Sequence, residues 1–348
     1  MPLSAAVRSR IPHTSRRTSK IRRRRSRISA IFSRSGRTRR LETYGCGKAV
    51  TDYHEVLSDP EVEAVSVCTP NNVHAPIAID CLRAGKNVLC EKPAARTYAE
   101  ALEMQKAQHE TGKVLNIGVV NRFNDSVNQI KEYIDSGKLG DVFHVYVSFR
   151  SHRCIPGIGG AFTTKAIAGG GALIDWGVHF LDIVMYCCGD PQGRYRHRRD
   201  VLPAGEGHGG VHLYRNVGRS AEARRRVRRR RFGHRHDPHR RSGHHLQRRL
   251  GTEHRRGKRC YIDFMGDKAG IRLQYGGDFK VYTAENGALV NYTPDFEMTD
   301  MFANEINAFV DYVQHGTPMP SKVETVAVTA QLMQALYDSA AAHREVVL

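Results

Sequence analysis

The 348-residue chain has no acidic side chain among its first 40 residues, no Cys-x-x-Cys spacing among its eight cysteines and a single tryptophan. Without paired cysteine spacings, zinc-ribbon and dithiol redox motifs are excluded. Most of the cysteines (46, 68, 81, 90, 154, 187, 188 and 260) stand inside apolar runs, where reduced, buried thiols are found. No uninterrupted apolar run reaches the roughly 18 to 20 residues of a membrane span. A soluble, cytoplasmic protein with no membrane partner is therefore expected. No internal repeat is apparent.

The formal charge of +19 would by itself suggest a nucleic-acid partner, but the charge is concentrated in two places. Residues 1–40 hold 14 Lys and Arg, and residues 193–259 hold 22 against 5 acids, together with 9 of the 18 histidines. The remainder is net acidic, as in an ordinary enzyme, and the length predicts two domains. Both basic segments prefer Arg over Lys, 34 to 2, whereas the rest holds 7 Arg and 11 Lys. Neither shows a sustained helical or strand period, so both are expected to be disordered. Residues 1–40 have the composition of a mitochondrial-type presequence, of an RNA-binding arm, and of GC-rich codons read out of frame. For residues 193–259 the out-of-frame reading stands beside an Arg/His-rich arm on nucleic-acid phosphates. Few aromatics are present there to stack bases, which disfavours nucleic acid as a partner.

Between these segments the chain reads as ordered structure. Ala64 to Thr69 is a short apolar run that ends on Pro70-Asn71-Asn72-Val73-His74, an amphipathic stretch follows to Gly85, and Asn87-Val88-Leu89-Cys90 stops abruptly on Glu91-Lys92-Pro93. Strand, turn, helix and strand in that order make a parallel crossover. Proline lacks a ladder donor and pushes its predecessor toward extended geometry, so Lys92 is placed where the strand leaves the sheet. That edge of an open α/β sheet is where ligands bind. Thr97 with Glu100 forms a capping-box pattern for a helix through Gln108, which Gly112 ends. A strand over 114–120 then leads into Asn121-Arg122-Phe123-Asn124 and a helix near 127–136.

Val142 to Phe149 alternates as a strand does and opens a second sheet. Further strands are expected over 261–273 and 279–282, and amphipathic helices over 301–314 and 323–343. The segment Gly169 to Asp182 is apolar apart from Asp175, His179 and Asp182, which stand at i, i+4 and i+7 on one helical face. Buried ionisable groups need partners or a task. An acid on each side of His179 is expected to orient the imidazole and raise its pKa, as for a held general base. Metal ligation is not expected, because no cysteine or second histidine lies at ligand spacing.

Cys68 to Asn71 with His74, Glu91-Lys92-Pro93, and the glycine-rich entry to Asp175, His179 and Asp182 together resemble the Gfo/Idh/MocA family of nicotinamide-dependent sugar and polyol dehydrogenases. The likeness covers roughly residues 41–192 and 260–348. It implies a Rossmann-like parallel-sheet domain, here 41–122, followed by an α+β domain with a large open sheet, 123–348, closed by the helix at 323–343. NAD or NADP would be the cofactor, contacted by Cys68, Thr69, Pro70, Asn71, His74, Glu91, Lys92, Asn121 and Arg122. A sugar, inositol or related polyol would be the substrate, held by Lys92, Asp175, His179 and Asp182, with Lys92, Asp175 and His179 catalytic. The open sheet would make the chain a dimer or tetramer.

One part of the family pattern is missing. A dinucleotide pyrophosphate needs a glycine turn at a helix N-terminus and an acid about 20 residues on. Gly45-Cys46-Gly47 offers only a fragment of that turn, so the first βαβ unit reads as disrupted, replaced by the Arg-rich segment. Besides an active dehydrogenase, two alternatives therefore stand: a damaged, non-catalytic relative, and a basic nucleic-acid-binding protein.

Overall fold

The computed structural model describes residues 28–30, 48–150, 159–189, 200–201, 210–214, 259–344 and 346–347. The Gly45-Cys46-Gly47 turn and most of the two basic segments lie outside them. Strand β1 (Ile28–Ala30) pairs in parallel with β2 (Lys48–Val50), and helix α1 (His54–Leu57) follows. Strands β3 (Ala64–Val67), β4 (Asn87–Glu91) and β5 (Leu115–Gly118) form a three-stranded parallel sheet in that order. Helices α2 (His74–Arg83) and α3 (Tyr98–Thr111) make its crossovers. Every residue of β5 is buried, as expected of parallel strands covered on both faces.

Helix α3 begins as its sequence predicts, with the Thr97 side chain accepting from the Glu100 amide at 3.2 Å, and ends on Gly112 at φ 64°. Glu100 departs from the capping box. Its carboxylate accepts instead from the Arg96 amide at 3.0 Å and the Arg96 guanidinium at 2.6 Å, because a charged donor makes the stronger bond. After β5 a 3₁₀ turn, Val120–Phe123, leads into α4 (Asp125–Asp135), capped by Asn124.

The second sheet is antiparallel and eight-stranded, in the order β12-β11-β10-β9-β6-β8-β7-β13. Its strands are β6 (Val142–Arg150), β7 (Asp200–Val201), β8 (Gly210–Tyr214), β9 (Arg259–Gly266), β10 (Gly270–Gln274), β11 (Phe279–Glu285), β12 (Ala288–Tyr292) and β13 (Val346–Val347). Strand β8 corrects the expectation that 193–259 contains no usable strand, since it pairs with β6 over five residues. Its Val211 and Leu213 alternate too briefly to stand out amid arginine, but β6 supplies the ladder. Strand β1 corrects the same expectation for residues 1–40, where Ile28 begins a short apolar run.

Helix α5 (Lys165–Ala168) leads to a π-helical turn at Leu173–Gly177 and then to α6 (Val178–Cys188), which packs against β6 of this sheet. The stretch Lys165–Cys188 is long and apolar enough to cross a membrane by length and composition. It is core: Ile174, Phe180, Leu181, Ile183 and Val184 are all buried, and Phe180 packs on Phe149 and Tyr275 at 5.4 and 4.5 Å between ring centres. Helices α7 (Met301–His315) and α8 (Val323–Ala342) close the chain. Grouped with 123–348 in sequence, this end returns to the first sheet. The Ile117 amide donates to the Ser321 carbonyl at 2.9 Å, and α8 packs against both α3 and α6.

Where α8, α6 and the turn after β5 meet, Arg122 and Asp182 form an ion pair with both side chains almost wholly buried. The guanidinium Nε and Nη2 donate to the two carboxylate oxygens at 2.9 and 2.7 Å. Its Nη1 donates to the Pro320 carbonyl at 2.6 Å and to the Thr325 hydroxyl at 2.7 Å, while the Thr329 hydroxyl donates to Asp182 at 3.0 Å. Removing one partner of such a pair leaves a buried charge unpaired. Asp182→Ala should cost about 3–5 kcal/mol, and Arg122→Met with Asp182→Leu should recover much of the loss, as read by urea unfolding.

Helix α7 carries a second buried carboxyl, Glu305, 6% exposed, whose Oε1 has no hydrogen-bond partner. Burial, with a smaller contribution from Glu91, raises its pKa from 4.5 to about 8. The folded state therefore holds a proton that the unfolded state releases between these values. Stability should fall as pH rises from about 4.5 to about 8, and Glu305→Gln should abolish that part of the slope in unfolding measured across the interval.

Candidate active site

The carboxyl ends of β3, β4 and β5 open on one edge, and each delivers a loop predicted from sequence to be functional. From β3 comes Cys68-Thr69-Pro70-Asn71, from β4 Glu91-Lys92-Pro93 with a cis Lys92–Pro93 bond, and from β5 the turn holding Asn121 and Arg122. The glycine-rich entry to α6 lies against this edge. Its three polar groups each meet a side chain from a strand end.

Lys92 Nζ donates to the Asp175 carbonyl at 2.7 Å and to Asp175 Oδ1 at 3.2 Å. Asp175 lies in the π-helical turn, where the backbone ladder changes register. Such turns recur at functional sites, and here the ammonium adds a donor to one of the turn's carbonyls. His179 Nδ1 lies 3.3 Å from Asn121 Nδ2, which also donates to the Tyr275 hydroxyl at 3.3 Å. Arg122 takes Asp182, as described above.

The expected single face of Asp175, His179 and Asp182 thus divides among three partners. The π turn widens the spacing between Asp175 and His179, and Asp182 turns toward α8. Among the described residues no acid pairs with His179, so the expected rise in its pKa is corrected. Burial first, then the Lys92 ammonium, lower it from 6.5 to about 3, because desolvation disfavours the charged ring. The imidazole is neutral throughout the physiological range.

Three sequence-derived site residues receive different work. Both carboxylate oxygens of Asp182 are occupied by Arg122, with Thr329 on one of them, so substrate binding by Asp182 is corrected. The Arg122 guanidinium is engaged by Asp182, Pro320 and Thr325. His74 is 1% exposed, with Nδ1 2.8 Å from the Pro93 carbonyl and Nε2 2.8 Å from the Thr69 carbonyl. Burial pushes its pKa down against the two carbonyl contacts, which push it up, and the ring ties the β3 and β4 loops together.

The remaining strand-end residues suit a dinucleotide's nicotinamide half. The Thr69 hydroxyl is buried without a hydrogen-bond partner, and Lys92, Cys68, Pro70 and Asn71 are only partly covered. Asn71 Nδ2 donates across to the Ala168 carbonyl at 2.9 Å, which holds the β3 loop against α5. The pyrophosphate turn lies outside the described residues.

Sequence reasoning missed two tyrosines. Tyr275 follows β10, stacks on Phe180 and reaches Asn121; burial raises its pKa. Tyr337, on α8, accepts from the Gly171 amide at 3.1 Å, and a Cβ at Gly170 would overlap its hydroxyl. The run of glycines was the available signal, since close approach of another chain segment is one reason for such a run.

Comparison with known proteins agrees with the fold. The family pattern described as "Oxidoreductase family, NAD-binding Rossmann fold" matches residues 11–119, and the "GFO/IDH/MocA C-terminal domain" matches residues 127–211. Both run into the basic segments, beyond the 41–192 span read from sequence. A D-glucoside 3-dehydrogenase of Escherichia coli (strain K12) is 31% identical over 304 residues, 86% of this chain and 83% of its own. A levoglucosan dehydrogenase of Pseudarthrobacter phenanthrenivorans is 33% identical over 150 residues, 42% of this chain and 38% of its own. In fold, a solved levoglucosan dehydrogenase in complex with NADH superposes with a TM-score of 0.68 at 20% identity, covering 93% of this chain and 90% of that one. With the parallel sheet, the antiparallel sheet and the long relative in agreement, the chain belongs to the Gfo/Idh/MocA family of NAD-binding oxidoreductases.

Proposed function

We propose that this oxidoreductase moves a hydride between NAD or NADP and a secondary alcohol of a sugar, inositol or related polyol. The observation that carries the proposal is the meeting of Lys92, held by Asp175, with a half-buried His179 at the carboxyl edge of the parallel sheet. When bound there, the nicotinamide supplies the hydride acceptor or donor.

The side chains do the rest. His179 in its neutral form takes the hydroxyl proton. Asp175 engages two of the three Lys92 donors; the third points the ammonium's charge at the reacting oxygen and stabilises negative charge there. Asp175 thereby orients Lys92 from backbone and side chain together. The Thr69 hydroxyl and the loop through Asn71 line the cofactor side. The D-glucoside 3-dehydrogenase and a myo-inositol 2-dehydrogenase of Thermotoga maritima, 30% identical over 149 residues, favour a polyhydroxylated substrate.

The open face of the antiparallel sheet favours a homo-oligomer. Tyr146 and Tyr261 lie together on it at 5.8 Å, and Arg272 covers the Tyr261 ring at 4.6 Å while pairing bidentately with Asp263. Tyrosine and arginine are the residue types that anchor interfaces. The reduced, buried thiols of Cys81, Cys90, Cys187 and Cys260 suit a reducing, cytoplasmic setting.

Titration of the full-length chain with NADH and NADPH, followed by nicotinamide fluorescence, is expected to show saturable binding. In a screen of polyols and sugars, Lys92→Ala and His179→Gln should each lower kcat by about 10²–10⁴-fold with the circular dichroism spectrum unchanged. No binding at millimolar cofactor would instead identify a defective relative. Sedimentation should give a dimer or tetramer that Tyr261→Glu dissociates; a monomeric parent protein would remove the interface from the proposal.

A further inference from the structure

We infer that Asn121 is a positioning residue which, together with Tyr275, decides which ring nitrogen of His179 carries the proton. The inference rests on the reading of His179 as the proton acceptor. A histidine base is ordinarily held by a carboxylate or carbonyl at its second nitrogen, and both candidate acids are engaged elsewhere: Asp175 on Lys92 and Asp182 on Arg122. What stands at His179 Nδ1 is the end of the Asn121 amide placed as Nδ2, 3.3 Å away, with the Tyr275 hydroxyl 3.3 Å from the same atom, so a proton on Nδ1 requires the two ends of this amide to be exchanged.

The residue is held firmly: Asn121 is 3% exposed, its backbone carbonyl accepts from the Asn124 amide at 3.1 Å, and the next residue is the buried Arg122. A primary amide carries an acceptor at one end and donors at the other, and rotation about its last bond exchanges them within one set of contacts. With the NH₂ end toward the ring, Nδ1 must accept, the proton sits on Nε2, and the ring has no lone pair left to take one from an alcohol. With the oxygen end toward the ring, Nδ1–H and the Tyr275 O–H both donate to that oxygen, which has two lone pairs to receive them. Nε2 is then free to act as a base.

The product state selects the same orientation. Once Nε2 has taken a proton, Nδ1–H persists and still needs an acceptor. The oxygen end supplies it, whereas the NH₂ end would set donor against donor. Tyr275, able to donate or accept, follows the amide, and its stacking on Phe180 at 4.5 Å fixes its place. The charged group facing the ring is Lys92, so the neutral amide orients His179 without cancelling that cation.

The test reads the tautomer directly. In the full-length chain labelled with ¹⁵N-histidine, the signals lost in His179→Gln belong to this ring. They are expected to show a protonated, pyrrole-type Nδ1 and a pyridine-type Nε2. Asn121→Leu should exchange or average the two signals and lower kcat by about 10²-fold. Asn121→Asp, nearly isosteric, should retain the Nδ1–H form and raise the ring's pKa by about 1–3 units. An acid limb should then appear in its pH profile of kcat/KM at higher pH than in the parent. A parent ring protonated on Nε2, or signals indifferent to Asn121→Leu and Asn121→Asp alike, would overturn the inference. Full activity in His179→Gln would instead refute the base reading while leaving the tautomer result standing.

Discussion

The buried ion pair between Arg122 and Asp182 sets the geometry on which the site depends. It joins the turn after β5 to α6, and through Pro320, Thr325 and Thr329 it binds both to the start of α8. Asn121 is one residue before Arg122, and His179 is three residues, nearly one helical turn, before Asp182. Once the ion pair is registered, amide and imidazole have little freedom to miss each other. A buried pair is weak evidence for net stability, because desolvating two charges offsets most of their attraction. Its contribution here is registry: all the polar atoms of both side chains are directed, and a shifted helix would leave them unpaired.

Desolvation also decides the chemistry of His179. Two opposing effects were available, acids that would raise its pKa and burial that would lower it, and the acids are committed to Lys92 and Arg122. Burial prevails, and the pKa falls to about 3. In the proposed role such a base would be weak, but it would need little strength at the moment it acts. As hydride leaves the carbinol carbon, the hydroxyl becomes that of a protonated carbonyl, a strong acid, so the proton transfers readily to a weak base already in place.

How much of this was legible in the sequence follows from the range of the interactions. The strand ends at Glu91-Lys92-Pro93, the Thr97 cap and the helix carrying Asp175 and His179 depend on neighbours within a few residues, and the sequence pattern placed them. Polar partners were not legible. Asp182 at the correct helical spacing could as well have faced His179; the choice is made by Arg122, 60 residues away. The strands β1 and β8 were hidden for a related reason. Each is short, set among arginines, and stabilised by a partner strand rather than by its own alternation, so that composition outweighed a local pattern of only a few residues.

The glycine run shows how tertiary packing can specify residues that look like a loop. Gly169 adopts φ 88°, and an added Cβ there would press on Arg96, while one at Gly170 would meet Tyr337. Arg96 is anchored to Glu100 on α3 and Tyr337 belongs to α8, so the first domain and the last helix together confine this entry. The Tyr337 hydroxyl then accepts from the Gly171 amide, at the start of the turn in which Asp175 lies. The π turn therefore owes its position to contacts from both sides, and with it the Asp175 carbonyl that meets Lys92. The candidate site is assembled from distant parts of the chain: strand ends bring Lys92 and Asn121, the glycine entry brings Asp175 and His179, and α8 holds the two sets together.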